Sequence, residues 1–186
     1  MTKIRCAWVS DDPIYQEYHD KVWGCPVYDS LELFEKLCLD GQQAGLSWIT
    51  ILKKQQNYQK AFANFDPYKI AEFSEADVER LMQDKSIVRN RLKIQSIIRN
   101  AKAYIAFVEQ GNDFSLFLWE FVGGKPIINE FLSLMEVPVE TPESQAMSKA
   151  LKKLGFNFVG PTICYAFMQA VGMVDDHTLD CFCRNS

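Results

Sequence analysis

Apolar positions recur at helical spacing along almost the whole chain, and no stretch alternates long enough to predict a strand. Ile94, Ile97, Ile98, Ala101, Ile105 and Val108 form the clearest 3.6-residue stripe and predict the longest helix. Leu31, Phe34, Leu37 and Cys38 share one face behind the capping pair Asp29-Ser30. Positions 47–62 read as one longer segment carrying Trp48, Ile51, Leu52, Tyr58 and Phe62. Asp66-Pro67 joins a capping side chain to a proline suited to a first turn, and Ser74-x-x-Asp77 opens another helix with Val78, Leu81 and Met82 apolar. Asp113 to Val122 is short and aromatic, Gly123-Gly124-Lys125-Pro126 interrupts, and Glu136 to Pro142 reads as a polar connector. The predicted fold class is all-α.

The pattern is most informative late in the chain. A helix over Met147 to Leu154 meets Gly155, a natural left-handed stop. Phe156-Asn157-Phe158-Val159-Gly160 makes a short turn, and Pro161-Thr162 starts a second helix through Ala170. Such a hairpin is either a plain connection between helices or an anion site, because a helix N-terminus presents free N–H groups. Gly155, Phe158, Gly160 and Thr162 would then face a phosphate, with Lys149, Lys152 and Lys153 adding charge.

Composition narrows the class. At 186 residues, 48% hydrophobic and 13% aromatic, the chain can bury a full core as one domain, 1–186. Two lobes are conceivable: a helical one over about 30–145, and a hairpin lobe over about 146–172 joined by the termini 1–28 and 173–186. The first residues carry no apolar stretch after their charges, and the longest apolar tract, Val159 to Val174, is too short to span a bilayer. We therefore expect a cytoplasmic protein without membrane contact. A net charge of −4 does not advertise nucleic-acid binding. Local basic clusters remain at Lys53-Lys54, at Arg89, Arg91, Lys93, Arg99 and Lys102, and near Lys149, each of which also reads as a solvated helix face.

Six cysteines in a reducing compartment favour metal binding over disulfides. The chain's two histidines, His19 and His177, each have a cysteine nearby in sequence, Cys6 and Cys181. Two thiolates and two imidazoles make a closed tetrahedral zinc set, structural rather than catalytic. Spacing alone leaves coincidence open, and Cys183 rivals Cys181. Cys25, Cys38 and Cys164 read as core.

Several ordered motifs then stand together: Cys6-Ala7-Trp8-Val9 with Asp12-Pro13, Tyr18-His19-Asp20 with Trp23-Gly24, Gly41-Gln42-Gln43-Ala44-Gly45-Leu46-Ser47-Trp48, the Gly155 to Gly160 turn, and His177-x-x-x-Cys181. With these the chain resembles the DNA-3-methyladenine glycosylase I family over nearly its whole length. The resemblance implies a helix-hairpin-helix DNA glycosylase fold, with a zinc site joining the N- and C-terminal segments. It implies excision of 3-methyladenine from alkylated double-stranded DNA to leave an abasic site, by a monomer. The zinc ligands implied are Cys6, His19, His177 and Cys181. The base pocket implied comprises Trp8, Tyr15, Tyr18 and Trp48, with Asp40 as its acid, and Leu46 filling the gap left in the duplex. The family's pocket acid is typically glutamate, so Asp40 is a departure, shorter in reach by about 1.5 Å.

Methylation at N3 makes adenine cationic and weakens its bond to the sugar, so the implied chemistry needs exposure and charge recognition more than a general base. Asp175 and Asp176 follow the second helix, and neither is assigned that role. Two other readings compete with the glycosylase. One is a non-catalytic helix-hairpin-helix DNA-binding module with a zinc clasp. The other is a zinc hydrolase, which a closed four-ligand set disfavours.

Overall fold

The computed structural model describes residues 2–184. Ten helices follow in order: α1 Pro13–Lys21, α2 Ser30–Gln42, α3 Trp48–Leu52, α4 Gln55–Ala61, α5 Pro67–Ala71, α6 Glu75–Met82, α7 Arg91–Val108, α8 Phe114–Glu120, α9 Pro142–Lys153 and α10 Pro161–Ala170. The protein is mostly helical, as the periodicity predicts. One small departure is a two-residue parallel bridge, β1 Ile127–Ile128 with β2 Val174–Asp175. It is too short to show as alternation, and it ties the segment after α8 to the segment after α10.

Helix starts follow their capping chemistry. Asp12, Asp29, Asp66, Asn90 and Asp113 each accept a hydrogen bond from an N–H of the first turn, which satisfies groups the helix itself leaves unpaired. Ser74 and Asp77 form the expected capping box. The helix expected from Met147 begins five residues earlier, at Pro142, capped by Thr141. The Thr141-Pro142 pair carries the same signal as Asp66-Pro67 and falls at the end of the connector expected over Glu136 to Pro142. The segment expected over 47–62 breaks at Lys53-Lys54 into α3 and α4. In α2 the buried face runs through Leu33, Phe34, Leu37 and Cys38, whereas Leu31 points outward. After α4, Ala63, Asn64 and Phe65 make a single left-handed turn, which Phe65 anchors by stacking on Phe62 in the core.

The main core gathers α2, α4 to α8, α9 and α10 around residues such as Phe34, Tyr58, Phe62, Ile97, Phe114 and Tyr165. A second, smaller cluster holds Cys6, Tyr18, Trp23, Ala170 and Cys181, with Trp8, Tyr15 and Trp48 against it. That cluster is where the chain ends meet. The segment at 24–27 fixes the end of α10, through Gly24 N–H to Gln169 O and Val27 N–H to Val171 O. Gly172, at a φ of +73°, lets the backbones touch: a Cβ there would lie 2.5 Å from the Pro26 nitrogen.

α9 and α10 pack together as a hairpin pair. Gly155 stops α9 at a φ of +98°, and Phe158 takes the left-handed region at +55°. The turn is held from α7: Asn100 Oδ1 accepts from Asn157 N–H at 2.8 Å, and Asn100 Nδ2 donates to Asn157 O at 3.3 Å. It also presses on α2, where a Cβ on Gly41 would meet Phe158 at 3.2 Å. The hairpin and the C-terminal end of α2 are therefore one packed unit. Among the described residues, no helix is long and apolar enough to cross a membrane.

Candidate functional site

A cavity of about 200 Å³ opens between the smaller cluster and the hairpin pair, lined by Trp8, Tyr15, Tyr18, Trp23, Asp40 and Trp48 among others. α1 supplies the tyrosines, since Tyr15 and Tyr18 lie three apart on one face. Trp8 packs against Tyr15 and Trp23 at centroid distances of 5.0 Å, and Tyr18 lies 5.7 Å from Trp48. These are tilted and edge contacts, the arrangement that leaves ring faces available. Tyr18 is buried, whereas Trp8, Tyr15 and Trp48 are half-buried.

Asp40 closes the inner wall at the end of α2, 2% exposed. One of its carboxylate oxygens has no hydrogen-bond partner among the described residues, and neither does the indole N–H of Trp48. Burial pushes the Asp40 carboxyl up to about 8, against a smaller opposing pull from Lys36. An unpaired buried carboxyl is costly in a folded protein and marks a position kept for a ligand. The cavity thus offers one acceptor, one donor and several ring faces.

The four pocket aromatics and Asp40 expected from the sequence all line this cavity. Leu46 does not. It sits on the turn 43–47 at the rim, 39% exposed, between the lining residues Gln43 and Trp48. Sequence reasoning missed Trp23, although Trp23-Gly24 was among the motifs, and also Val137, from the segment read as a connector, and Leu134 just before it. Asp176 lines the cavity as well, but its carboxylate accepts from Tyr165 Oη, Gln169 Nε2 and Asn129 Nδ2.

Beside the cavity lies the candidate metal centre. Ligand atoms of His19, His177, Cys181 and Cys183 fall within 4.8 Å of one another. Each imidazole is oriented by a carboxylate that the sequence reading passed over: Asp20 lies 2.8 Å from His19 Nδ1, and Asp175 lies 2.7 Å from His177 Nδ1. Asp20 is in turn gripped at both oxygens by Arg5 at 2.8 Å, which draws its carboxyl down to about 2. Carboxylates on Nδ1 leave both Nε2 atoms for a metal. His177 Nε2 is buried with no partner among the described residues, and His19 Nε2 faces Cys181 Sγ at 3.5 Å. This donor set fits a metal ion of the zinc type.

The grouping differs from the expected ligands in one member, Cys183 in place of Cys6. Cys183 Sγ lies 3.9 Å from His19 Nδ1, the ring atom that Asp20 already engages. The buried Cys6 approaches from the other side, its N–H 3.5 Å from His19 Nε2 and its thiol 3.9 Å from Thr178 Oγ1. The rivalry is therefore between Cys183 and Cys6 rather than Cys181. Cys38 and Cys164 are buried as expected, but Cys25 is exposed. His177 to Cys181 is a turn, not a helix, closed by Cys181 N–H to Thr178 O at 2.9 Å.

Of the expected basic surface, Lys149, Lys152 and Lys153 stand exposed on α9, and Thr162 is exposed at the start of α10. Of the other clusters, Arg89, Arg99 and Lys102 also stand exposed, and the rest are engaged. Lys53 pairs with Asp12, Arg91 with Glu75 and Glu79, and Lys93 is buried.

An aromatic cavity with one unpaired buried acid, set against a helix–hairpin–helix, defines a helical protein with a pocket suited to a flat ring. Comparison with known proteins gives the family. The methyladenine glycosylase family model matches residues 8–184. The chain is 54% identical to the DNA-3-methyladenine glycosylase of Haemophilus influenzae over 182 residues, covering 98% of each. It is 56% identical to DNA-3-methyladenine glycosylase 1 of Escherichia coli K12, covering 96% of each. A solved structure of 3-methyladenine DNA glycosylase I from Staphylococcus aureus, which concerns recognition of 3-methyladenine, superposes with a TM-score of 0.94 at 41% identity, covering 98% of this chain and 97% of that one. The chain belongs to the methyladenine glycosylase family.

Proposed function

We propose that the protein excises 3-methyladenine from alkylated double-stranded DNA by hydrolysing the N-glycosidic bond, leaving an abasic site. The observation that carries this reading is the unpaired Asp40 carboxylate buried among ring faces. A cationic base entering the cavity gains cation–π attraction, on the order of 2 kcal/mol when desolvated, and a charge-assisted hydrogen bond. Neutral adenine gains neither. On its N7 edge adenine also presents an amino donor beside a ring acceptor, complementary to the Asp40 acceptor and the Trp48 donor, whereas guanine presents two acceptors on that edge.

Excision starts with the nucleotide leaving the stack, at a cost of a few kcal/mol that is least for a damaged base. Leu46 fills the vacated space from the rim. The hairpin residues Gly155, Phe158, Gly160 and Thr162, with Lys149, Lys152 and Lys153, hold the backbone through phosphate contacts, which position without reading sequence. Inside the cavity Trp8, Tyr15, Tyr18 and Trp48 exclude water and hold the ring, and the ionised Asp40 stabilises its charge. The glycosidic bond then breaks with the electron pair passing to a base already activated by its methyl group. Water adds to the sugar carbon and releases its proton to solvent. No side chain is assigned as general base, and the three donors on Asp176 favour a structural part for that residue. One copy of the chain supplies every lining residue, so a monomer suffices.

Cys6, His19, His177 and Cys181 would hold a zinc ion, which as a closed set supplies folding energy and no open coordination position. The clasp ties the tail after α10 to the segment carrying Trp8, Tyr15 and Tyr18, and so shapes the cavity. The test is release of free 3-methyladenine from methylated duplex DNA by the purified protein. Duplex binding without release would favour a non-catalytic binding module instead.

A further inference from the structure

The turn 43–47 that carries Leu46 is exposed, contains Gly45 at a φ of +76°, and has no helix or strand of its own. Such a turn should sample many positions. It is nevertheless pinned from beneath. Lys93, in the first turn of α7, sends its ammonium to Gln42 O at 2.8 Å and Ala44 O at 2.5 Å, with the residue only 6% exposed. Gln42 answers, its Nε2 donating to Lys93 O at 3.1 Å. Tyr58 Oη donates to Gln42 Oε1 at 3.4 Å and accepts from Val88 N–H at 3.2 Å.

Burying an ammonium on carbonyl groups alone is an expensive way to fill space, and burial lowers the pKa of Lys93. A methionine would fill it more cheaply. What an ammonium provides is several donors on one atom, able to hold two carbonyls at once. Those carbonyls lie at the C-terminal end of α2, where unpaired C=O groups and the negative end of the helix dipole favour a cation. Seven residues further along α7, about 10.5 Å on, Asn100 holds the hairpin through Asn157. One helix therefore grips both loops that border the proposed DNA site.

We propose that Lys93 is a positioning residue: it fixes the Leu46 turn at a set spacing from the hairpin, so that gap filling and backbone grip act on the same nucleotide. The proposal rests on the gap-filling role given to Leu46 above. It deepens that role by naming what holds the turn in place.

The experiment compares single-turnover excision from methylated duplex and methylated single-stranded DNA, alongside binding of free 3-methyladenine read by tryptophan fluorescence. Lys93→Met should lower duplex excision by about tenfold or more, since small misplacements near a reacting centre carry large penalties. Single-stranded excision and free-base binding, which need no gap filled, should stay near native. In a Leu46→Ala background, Lys93→Met should add little, because residues acting as one unit are not additive. Equal losses on both substrates, or none on the duplex, would overturn the proposal. A Leu46→Ala variant with native duplex excision would instead remove the gap-filling reading on which it rests. Should Lys93→Met fail to fold, Tyr58→Phe removes one hydroxyl from the same network and should give a smaller loss confined to the duplex. An equal loss on both substrates there counts against the proposal in the same way.

Discussion

Asp40 concentrates the chemistry of the molecule in one carboxyl. Its pKa of about 8 lies far above the usual 3.8, with burial the cause. Between those values the native protein holds a proton that the unfolded chain has lost, so stability from this group falls as pH rises from about 4 to about 8 and is level beyond. Asp40→Asn should therefore raise the melting temperature relative to native, with the gain growing from pH 5 to pH 8. A pH-independent difference between the two would show that the carboxyl is not held neutral. Binding of a fixed cation runs the other way. It favours the ionised form, so excision should rise with pH toward a plateau near 8. Lys36 alone among the described residues pulls the Asp40 carboxyl back down, while the Asp40 charge in turn adds to the burial that raises Tyr18 and Cys164. Trp8, Tyr18 and Trp48 were legible through the motifs they sit in, and Tyr15 and Asp40 only through the family resemblance those motifs carry. The unpaired state of Asp40 was not, because burial on that scale comes from the packing of α2 against α10.

Elements show the same division between local and non-local information. Caps at Asp29, Asp66 and Ser74 can be read from neighbouring residues, and the structure keeps them. The bridge between β1 and β2, and the grip of Asn100 on the hairpin, join residues 47 and 57 positions apart and leave no local pattern. The histidine clasp was half visible. His19 and Cys181 stood out by residue type, while Asp20 entered only within the Tyr18-His19-Asp20 motif and Asp175 only as an unassigned acid after the second helix, neither marked as orienting a ring. Gly24 belongs to this clasp as well. It holds a φ of +79°, and a Cβ there would meet His177 Cε1 at 2.7 Å. Gly24→Ala should push that ring aside, lowering bound metal in elemental analysis and the melting temperature together. Full metal content with native stability would show that His177 is not confined as described.

At the scale of the whole molecule, the termini are the part that folding alone leaves least secured. The main core is large and continuous, whereas the cluster around Cys6, Tyr18 and Trp23 is small and polar at its centre. A metal held by Cys6, His19, His177 and Cys181 would link the two ends of the chain and supply folding energy there. Strong chelation should thus lower the melting temperature, and below that temperature it should weaken free-base binding, because Trp8, Tyr15 and Tyr18 lie on the released segment. Unchanged melting after complete metal removal would deny the clasp a structural part. The clasp serves the cavity, and the cavity serves charge recognition by Asp40. The most direct measurement is the yield of free 3-methyladenine from methylated duplex DNA for the native protein, Asp40→Asn and Asp40→Glu, assayed side by side. Recognition by charge predicts release by the native protein, a loss of about a hundredfold in Asp40→Asn, the scale of removing one preorganised electrostatic contact, and full or greater activity in Asp40→Glu. Undiminished release by Asp40→Asn, or a large loss in Asp40→Glu, would contradict it.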